Sequence, residues 1–451
     1  MQQRDFDVIV VGAGIGGLAV GTLLSQAGYK TLMVESKNRV GGRASTEEFQ
    51  GFKLPLGGIA IHKGSDVDEL FKRVGAQLDL VYVPPLYYRL GGKDFAMPAK
   101  GSISTMFDIV NKLDVDHGKL ITGLMKAGAG EKIMGAFRKS IANPEKERMT
   151  FKDWLLQYTD DEMAHAIFDC VANSLLGGHH FELPASAMFA WFVRMSGSRD
   201  VGIPPEGSVV NMNRLADVVK KNGDVWLNSP AKKVLVKGGT VQGVEVERDG
   251  KKVQVTAKAV VCDINPKLTV GMTGEENFDE AYLRMMRIRV RPQGTVVAYL
   301  ASDIPLWPDD GSPAILMLTG CRRVISMVPL SNACPKLAPP GQHLMFVAGP
   351  PVSSEYRLNE EEEIRAVMQD IEEQLPRFKQ HGRVLKIIAK NFDDEFPFQG
   401  TRVGYGMPIE TPVKNLYNVG DWCLGPGLTG TTAAVEAGFR VVEQVKKQVK
   451  K

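Results

Sequence analysis

The sequence predicts an α/β protein with two lobes: a discontinuous Rossmann-type lobe and an α+β lobe that is inserted into it. Two observations predict the first lobe, namely a glycine-rich turn directly after an apolar strand and an acidic residue at the end of the next strand. The third observation is that strand and helix patterns of this type recur at the start, middle and end of the 451-residue chain. We therefore assign residues 1–63, 205–275 and 391–451 to the first lobe, and residues 64–204 and 276–390 to the second.

The start of the chain has the pattern of a βαβ unit. Phe6–Val11 is an apolar, β-branched run that predicts a strand, residues 18–27 predict a helix, and Thr31–Val34 predicts a second strand. Glu35 ends this second strand, and Ser36 follows it. The turn between the first strand and the helix consists of Gly12, Ala13, Gly14, Ile15, Gly16 and Gly17.

Each part of this turn has a task in binding a dinucleotide. Gly12 permits the tight turn, Gly14 lets a pyrophosphate approach the backbone, and Gly17 allows close packing of helix and strand. The helix N-terminus offers N–H groups and a positive dipole end to the phosphates. Glu35 lies eighteen residues after Gly17, where it can accept a hydrogen bond from a ribose hydroxyl. The unit by itself is compatible with either NAD or FAD.

Composition and charge exclude several other classes of function. The net charge of +3 is too small for a nucleic-acid-binding protein, so we expect no nucleic-acid partner. The five cysteines are scattered without metal-ligand spacing, which predicts no metal and a reducing compartment. Because the sequence shows no signal peptide and no apolar stretch of membrane-spanning length, we expect a cytoplasmic protein. The alternative is a weak peripheral contact of the basic C-terminal helix with the inner face of a membrane.

Two short glycine pairs extend the predicted site. Gly41 and Gly42 precede Arg43, and such a flexible loop can place a guanidinium on a pyrophosphate. Gly57 and Gly58 follow a short predicted strand, where missing side chains would let a planar ring pack on the backbone. An ordinary turn is the alternative interpretation of this second pair.

The C-terminal segment repeats the arrangement of strand, glycine turn and helix. The strand at residues 416–419 ends in Gly420 and Asp421, and a glycine-rich turn leads through Gly430 and Thr431 into the last helix. A second helix N-terminus at this point can stabilise negative charge on a cofactor ring. Asp421 can bind a ribityl or phosphate-side hydroxyl, or it caps the turn.

The segments between these signatures predict the remaining elements. Residues 66–199 are mostly helical in pattern, with one of the helices at residues 104–111. Residues 208–262 predict a helix and a small β-meander, and residues 279–390 predict further strands and a helix at residues 360–374. The mostly helical block is rich in methionine and aromatic residues, which suits an apolar substrate cavity or an ordinary core.

Together with residues 205–207, these motifs resemble the superfamily of FAD-dependent amine oxidases and phytoene desaturases, which includes protoporphyrinogen oxidase. The resemblance implies a Rossmann-type FAD-binding lobe and an inserted substrate-binding lobe. By this resemblance Glu35 binds the adenosine ribose and Arg43 the pyrophosphate. Val234 binds the adenine through its backbone, and Asp421 binds the ribityl–phosphate region. The predicted cofactor-binding residues are Gly12, Gly14, Ile15, Gly16, Gly17, Glu35, Ser36, Gly41, Gly42, Arg43, Gly57, Gly58, Val234, Gly420, Asp421, Gly430 and Thr431.

Two departures from the family pattern favour the desaturase-like branch. Monoamine-type oxidases carry a flavin-linking cysteine in the stretch at residues 395–401, and this sequence has none there, so we expect non-covalent FAD. Those oxidases also carry an aromatic residue at the position of Thr431, which cannot form a cation–π wall for an amine. The resemblance thus implies dehydrogenation, or reverse saturation, of a C–C bond in a mainly apolar small molecule by hydride transfer to flavin N5. A flavin amine oxidase that releases peroxide and a non-redox flavin-dependent isomerase stay open as alternatives.

Candidates for catalytic residues are few. His62 follows the second glycine pair and can project toward the ring, and Arg402 and Tyr405 lie in the stretch that lines the active site in relatives. The adjacent His179 and His180 are weaker candidates. A general base is needed only if a second proton must leave the substrate. The sequence leaves open the substrate, the direction of reaction, the oligomeric state and the electron acceptor, which could be oxygen, a quinone or a carrier protein.

Overall fold

The computed structural model describes residues 5–83, 86–96, 149–194, 200–353, 357–390, 399–425 and 427–450. Within these ranges the strands are β1 (Phe6–Val11), β2 (Thr31–Val34), β3 (Thr46–Phe49), β4 (Phe52–Pro55), β5 (Ile61–His62), β6 (Val81–Val83), β7 (Leu86–Leu90), β8 (Lys93–Ala96), β9 (Val201–Ile203), β10 (Gly223–Trp226), β11 (Ala231–Lys237), β12 (Thr240–Arg248), β13 (Lys251–Cys262), β14 (Thr295–Ser302), β15 (Ile315–Leu318), β16 (Ser326–Val328), β17 (His343–Gly349), β18 (Gly382–Lys390) and β19 (Leu416–Asn418).

Helices connect these strands and cover the sheets. The α-helices of the described ranges are α1 (Ile15–Gln26), α2 (Asp66–Val74), α3 (Phe151–Leu155), α4 (Glu162–Val171), α5 (Ala185–Arg194), α6 (Ser208–Val219), α7 (Pro266–Thr273), α8 (Glu280–Arg289), α9 (Leu330–Ala333), α10 (Glu360–Gln374), α11 (Phe378–His381) and α12 (Gly430–Gln448). A π-helical turn, Ala172–Leu176, continues α4.

The first lobe is built on a seven-stranded sheet with a parallel centre. β1 pairs in parallel with β2 on one side and β13 on the other, and these neighbours pair in parallel with β10 and β19. The N-terminal half of β13 instead forms an antiparallel meander with β12 and β11. Helix α1 packs against both α6 and α12. The carboxyl ends of the parallel strands therefore meet at one edge, where open α/β sheets bind their ligands.

The sequence of the central strands explains their position. β1 and β2 are runs of apolar residues, and nearly every side chain in them is buried. Parallel strands that are covered by helices on both faces require such continuous apolar runs. The structure thus has the predicted α/β class and the predicted meander.

The second lobe is a mixed sheet between two helical layers. Its strand order is β18-β14-β17-β16-β15-β7-β8, and the pairing is antiparallel except between β15 and β7. Strand β14, the second strand in this order, is buried on both faces. Val297 and Tyr299 pack in one core with Phe151 of α3, while Val296 packs on the opposite face with Val367 of α10.

The local sequence pattern did not predict three strands of the structure. Strands β6, β7 and β8 lie inside the segment that was predicted to be mostly helical. These strands have three to five residues, and β7 pairs with β15 from a distant part of the chain. Strand formation in such short runs depends on the partner more than on intrinsic propensity. The helix predicted at residues 104–111 lies outside the described residues.

The lobe boundaries also differ in detail from the predicted ones. Val67 and Leu70 of α2 and Tyr282 and Leu283 of α8 pack in the core of the first lobe. The sequence prediction placed both helices in the second lobe. The reason is that an amphipathic helix shows which of its faces is apolar but does not show which sheet that face covers.

Candidate functional site

The carboxyl edge of the first sheet brings the glycine turn and α1 together. Gly12 has a φ of 93°, and Gly14 is the N-cap of α1. A Cβ at Gly12 would lie 2.6 Å from the carbonyl oxygen of Asp263, so a larger residue does not fit there. The N–H groups of Ile15 and Gly16 lie in the first turn of α1, where helix geometry provides no carbonyl partner. This turn can therefore donate hydrogen bonds to a phosphate group.

The Glu35 carboxylate faces the glycine turn from the end of β2. Its Oε2 accepts the Ala13 N–H at 2.7 Å, and its Oε1 accepts the Lys37 N–H at 2.8 Å. The Ser36 hydroxyl donates to the same Oε1 at 3.2 Å. Since Glu35 is only 8% exposed, these bonds hold the carboxylate in one orientation, and its remaining lone pairs can accept a ribose hydroxyl.

The predicted adenine residue Val234 lies on β11 at the edge of the same sheet. Its side chain is fully buried, and it pairs with Val244 of β12. Ser229, just before β11, donates its N–H to the Glu35 carbonyl oxygen at 2.7 Å. This bond places the start of β11 beside the predicted ribose-binding residue.

An ion pair joins the two ends of the first lobe. Arg43 donates from Nη1 to Oδ2 of Asp421 at 2.9 Å and from Nη2 to Oδ1 at 2.6 Å. The Asp421 Oδ2 also accepts the Gly400 N–H at 2.8 Å, and Asp421 is only 4% exposed. Burial disfavours the guanidinium cation, but Asp421 and Asp263 outweigh this effect and raise the pKa of Arg43. Arg43 is therefore a permanent cation beside Gly41 and Gly42.

Asp263 is a site residue that the sequence analysis missed. It follows β13, and its Oδ2 accepts the Gly17 N–H at 2.8 Å. Cβ atoms at Gly14 and Gly420 would lie 2.5 Å and 2.6 Å from its carboxylate oxygens. Burial, with further contributions from Asp421 and Glu35, raises the pKa of Asp263 to about 7. An acid directly after a buried parallel strand, as at Glu35, was the signal that could have found it.

The donor and acceptor set at this edge fits a dinucleotide. The helix N-terminus and Arg43 provide hydrogen-bond donors and positive charge for a pyrophosphate, and Glu35 provides the acceptor for a ribose. The glycines leave space that a Cβ would fill. Because burial raises the pKa of Asp263 to about 7, this carboxyl is only partly ionised at neutral pH and adds less negative charge than an ordinary aspartate would.

The second glycine pair lies at the start of the last helix. A Cβ at Gly58 would lie 3.0 Å from Cγ2 of Thr431, and a Cβ at Gly57 would lie 3.1 Å from the Arg43 carbonyl oxygen. Gly430, with a φ of 51°, begins α12. The structure therefore brings both predicted ring-side segments together beside Arg43.

The three candidate catalytic residues lie in two places. His62 is on β5, its Nδ1 is buried without a hydrogen-bond partner, and burial lowers its pKa, which favours the neutral imidazole. Arg402 is 4% exposed, and its guanidinium carbon lies 4.9 Å from the ring centroid of Tyr405. This segment begins next to Gly400, which is bonded to Asp421. The geometry does not assign a general base among them.

Two negative findings concern metals and membranes. In the part of the chain that the structure describes, no three His, Cys, Asp or Glu side chains are grouped so as to hold a metal ion. No helix of the described ranges has the length and apolar character that crossing a membrane requires.

The fold and the donor and acceptor set at the sheet edge are those of a dinucleotide-binding protein. Residues 15–446 match the model of the flavin containing amine oxidoreductase family, and the chain belongs to this family. Its members are enzymes with a flavin cofactor, and the residues described above fit FAD.

Relatives from different branches of this family are similar to the chain. A lycopene-forming phytoene desaturase from Pantoea ananas is 27% identical over 280 residues, covering 56% of this chain and 55% of the relative. Amine oxidase B from Homo sapiens is 24% identical over 471 residues, covering 97% of this chain and 86% of the relative. The chain thus matches about half the length of the desaturase.

A solved structure shows the same fold. The crystal structure of an oxidoreductase from Methanosarcina mazei superposes with a TM-score of 0.82 and 23% sequence identity. The match covers 97% of this chain and all of that chain. At this identity, the likeness concerns the fold alone.

Proposed function

We propose that this oxidoreductase dehydrogenates, or in reverse saturates, a C–C bond in a mainly apolar small molecule, and that it holds FAD non-covalently. When bound, FAD supplies the acceptor for a hydride from the substrate. The residues of this chain bind the cofactor, orient the substrate and exclude water. The observation that carries the proposal is that a threonine, Thr431, lies in the first turn of α12.

By the resemblance, Thr431 occupies the position where monoamine-type oxidases carry an aromatic side chain. Its Cγ2 lies against Gly58, at 3.0 Å from where a Cβ of that residue would be. A threonine methyl provides apolar contact but no π face for a cation. This supports a neutral, apolar substrate at the ring and counts against an amine.

The environment of Cys423 supports non-covalent binding. Cys423 is fully buried, and its thiol donates to the Pro408 carbonyl at 3.7 Å. Burial raises the pKa of this thiol far above its ordinary value, so it is not a nucleophile at neutral pH. The stretch at residues 395–401 contains no cysteine.

The test begins with the purified yellow protein. Acid precipitation should release all flavin into the supernatant, and Cys423→Ser, which keeps a donor for the Pro408 carbonyl, should retain full flavin content. Flavin that stays with the precipitated chain would refute non-covalent binding.

Anaerobic mixing with lipophilic alkenes, ketones and amines then identifies the reaction. Bleaching of the flavin band by an alkene, or by the more saturated compound that would be dehydrogenated, supports the proposal. Bleaching by amines, followed by peroxide release in air, would instead establish an amine oxidase. Isomerisation of a substrate without any electron acceptor would establish an isomerase. If the flavin is bleached in this way, its reoxidation by air, by a quinone or by a carrier protein then identifies the electron acceptor.

A further inference from the structure

The carboxyl group of Asp263 lies directly against the glycine turn that the motif assigns to the pyrophosphate. A Cβ at Gly14 would lie 2.5 Å from its Oδ2, and a Cβ at Gly16 would lie 2.9 Å from its Oδ1. Gly14 is the residue whose missing side chain lets the pyrophosphate approach the backbone. Gly14, Arg43 and Asp263 are all half-buried. A phosphate at the start of α1 would therefore be a close neighbour of this carboxyl group.

The two oxygens of Asp263 differ in their partners. Oδ2 accepts the Gly17 N–H at 2.8 Å, whereas Oδ1 accepts no hydrogen bond from the residues that the structure describes. Oδ1 lies 2.6 Å from where a Cβ of Gly420 would be, so it faces both glycine segments of the site. An ionised carboxylate only accepts hydrogen bonds, but a protonated one also donates. A proton on Oδ1 would thus add a donor while the bond to Gly17 is kept.

The charges that face Asp263 are mostly negative. Burial raises its pKa most, Asp421 and Glu35 raise it further, and the Gly17 N–H and Arg43 oppose the shift, with a result of about 7. Arg43 already binds Asp421 through both of its terminal nitrogens. Three carboxyl groups therefore face one cation before any cofactor binds.

Hydrogen bonding indicates which of the three carboxyl groups holds a proton. Glu35 and Asp421 each accept several hydrogen bonds, which favour the ionised form. Asp263 accepts one in the described part of the chain. When carboxylates lie close together, the group with the poorest compensation is the one that becomes protonated. In this cluster that group is Asp263.

The other titratable groups near Asp263 are thiols. Cys262 precedes it on β13, and Cys423 follows β19. Both are fully buried, and burial raises the pKa of Cys262 to about 12 and that of Cys423 far above its ordinary value. The glycine turn, residues 12–17, carries no ionisable side chain. Neither the thiols nor the turn therefore exchanges protons near neutral pH.

A bound pyrophosphate adds negative charge beside this group. Each of its phosphates is an anion at neutral pH, and like charges at short distance disfavour the ionised form of a carboxyl group. The N-terminus of α1 and Arg43 offset part of the added charge. Arg43, however, also serves Asp421. An ionised Asp263 would repel the phosphates, whereas a protonated one would not.

We propose that Asp263 takes up one proton from solvent when FAD binds, and that the protonated group donates a hydrogen bond to the pyrophosphate. FAD binding then weakens as pH rises above neutrality. The inference rests on the non-covalent binding proposed above and is independent of the substrate and of the reaction.

The sign and size follow from the protonation equilibrium. Since the complex holds more protons than the apoprotein, the dissociation constant rises with pH wherever Asp263 is ionised in the apoprotein. With a pKa of about 7 in the apoprotein and a much higher pKa in the complex, this constant should rise about tenfold between about pH 6 and about pH 8. At lower pH it should level off, because the group is protonated in both states.

The test compares the wild-type apoprotein with Asp263→Asn. Asparagine mimics the protonated acid, because its carbonyl oxygen can accept the Gly17 N–H and its amide can donate. FAD binding is measured by fluorescence titration. We expect the variant to match the wild type at about pH 6 and to bind about tenfold more tightly than the wild type at about pH 8. Asp249→Asn, at a side chain that is 94% exposed, is the control and should follow the wild type.

Calorimetry counts the protons directly. FAD is titrated into each apoprotein at about pH 8 in phosphate and in Tris, two buffers that differ in their heat of ionisation. The wild type should take up about 0.9 proton for each FAD bound, and Asp263→Asn should take up none.

The possible results separate the inference from the proposed function. Equal heats in both buffers for the wild type, or proton uptake that persists in Asp263→Asn, would overturn the inference. Weaker FAD binding by this variant than by the wild type at about pH 8 would show that Asp263 acts as an ionised acceptor. If the variant does not fold, the wild-type uptake is measured against pH, and a midpoint far from the pKa of about 7 would overturn the assignment. Flavin bleaching by amines would refute the proposed reaction without changing the proton count, whereas covalent flavin would overturn both proposals.

Discussion

Replacing Asp263 with asparagine removes a carboxyl group from the glycine turn while keeping its shape. The Oδ1 of asparagine can still accept the Gly17 N–H, which Asp263 accepts at 2.8 Å. The substitution therefore changes the charge and leaves the local hydrogen bond in place. Its effect should depend on pH, because the wild-type group titrates within the accessible range.

The magnitude follows from the pKa of Asp263, which burial raises from 3.8 to about 7. A tenfold change in the proton dissociation constant corresponds to about 1.4 kcal/mol, so the raised pKa means that protonation favours the folded state by at most about 4 kcal/mol. The partial exposure of Asp263 to solvent reduces this value. This stabilisation is fully present below the unfolded pKa of 3.8 and is lost as pH rises through about 7. Between about pH 5 and about pH 8, the wild-type apoprotein should lose up to roughly 3 kcal/mol through this group.

The assay is denaturant unfolding of the apoproteins at several pH values across this range. Subtracting the Asp263→Asn curve from the wild-type curve removes the contribution of all other titrating groups. The stability difference should shift steadily toward the variant as pH rises. Asp249→Asn, at a side chain that is 94% exposed, should show no such trend. A wild-type-minus-variant difference that stays constant with pH would refute the reasoning.

Three further predictions concern the cofactor residues. Arg43→Met leaves the buried carboxylate of Asp421 without its bidentate partner, which should cost about 3 kcal/mol in the free energy of denaturant unfolding, and a loss below about 1 kcal/mol would contradict the assigned ion pair. Glu35→Gln should weaken FAD binding by about tenfold in a fluorescence titration of the apoprotein; equal affinity would remove Glu35 from the site. Gly14→Ala places a Cβ 2.5 Å from the Asp263 carboxylate and should purify without flavin. Its control, Gly271→Ala, has no atom within 4 Å of the new Cβ, so a matching flavin loss there would show a general folding effect.

The sequence predicted those parts of the protein whose pattern is local. The run Phe6–Val11, the following glycines and Glu35 form one continuous βαβ unit, and the structure contains that unit. The helix predicted at residues 360–374 is present with the same bounds, because an N-cap and apolar periodicity within one segment specify it. The family and the flavin cofactor followed from the resemblance that this unit carries together with Arg43 and the Gly420–Asp421 pair, since the unit alone is compatible with either NAD or FAD.

The tertiary structure decided which distant residues share a site. Asp263 and Gly17 are 246 positions apart, and only the parallel pairing of β1 with β13 brings them into contact. Arg43 meets Asp421 across 378 positions. Burial and hydrogen-bond partners depend on such long-range packing, so sequence pattern identified the cofactor class, while packing determined the charge and pKa of the site residues.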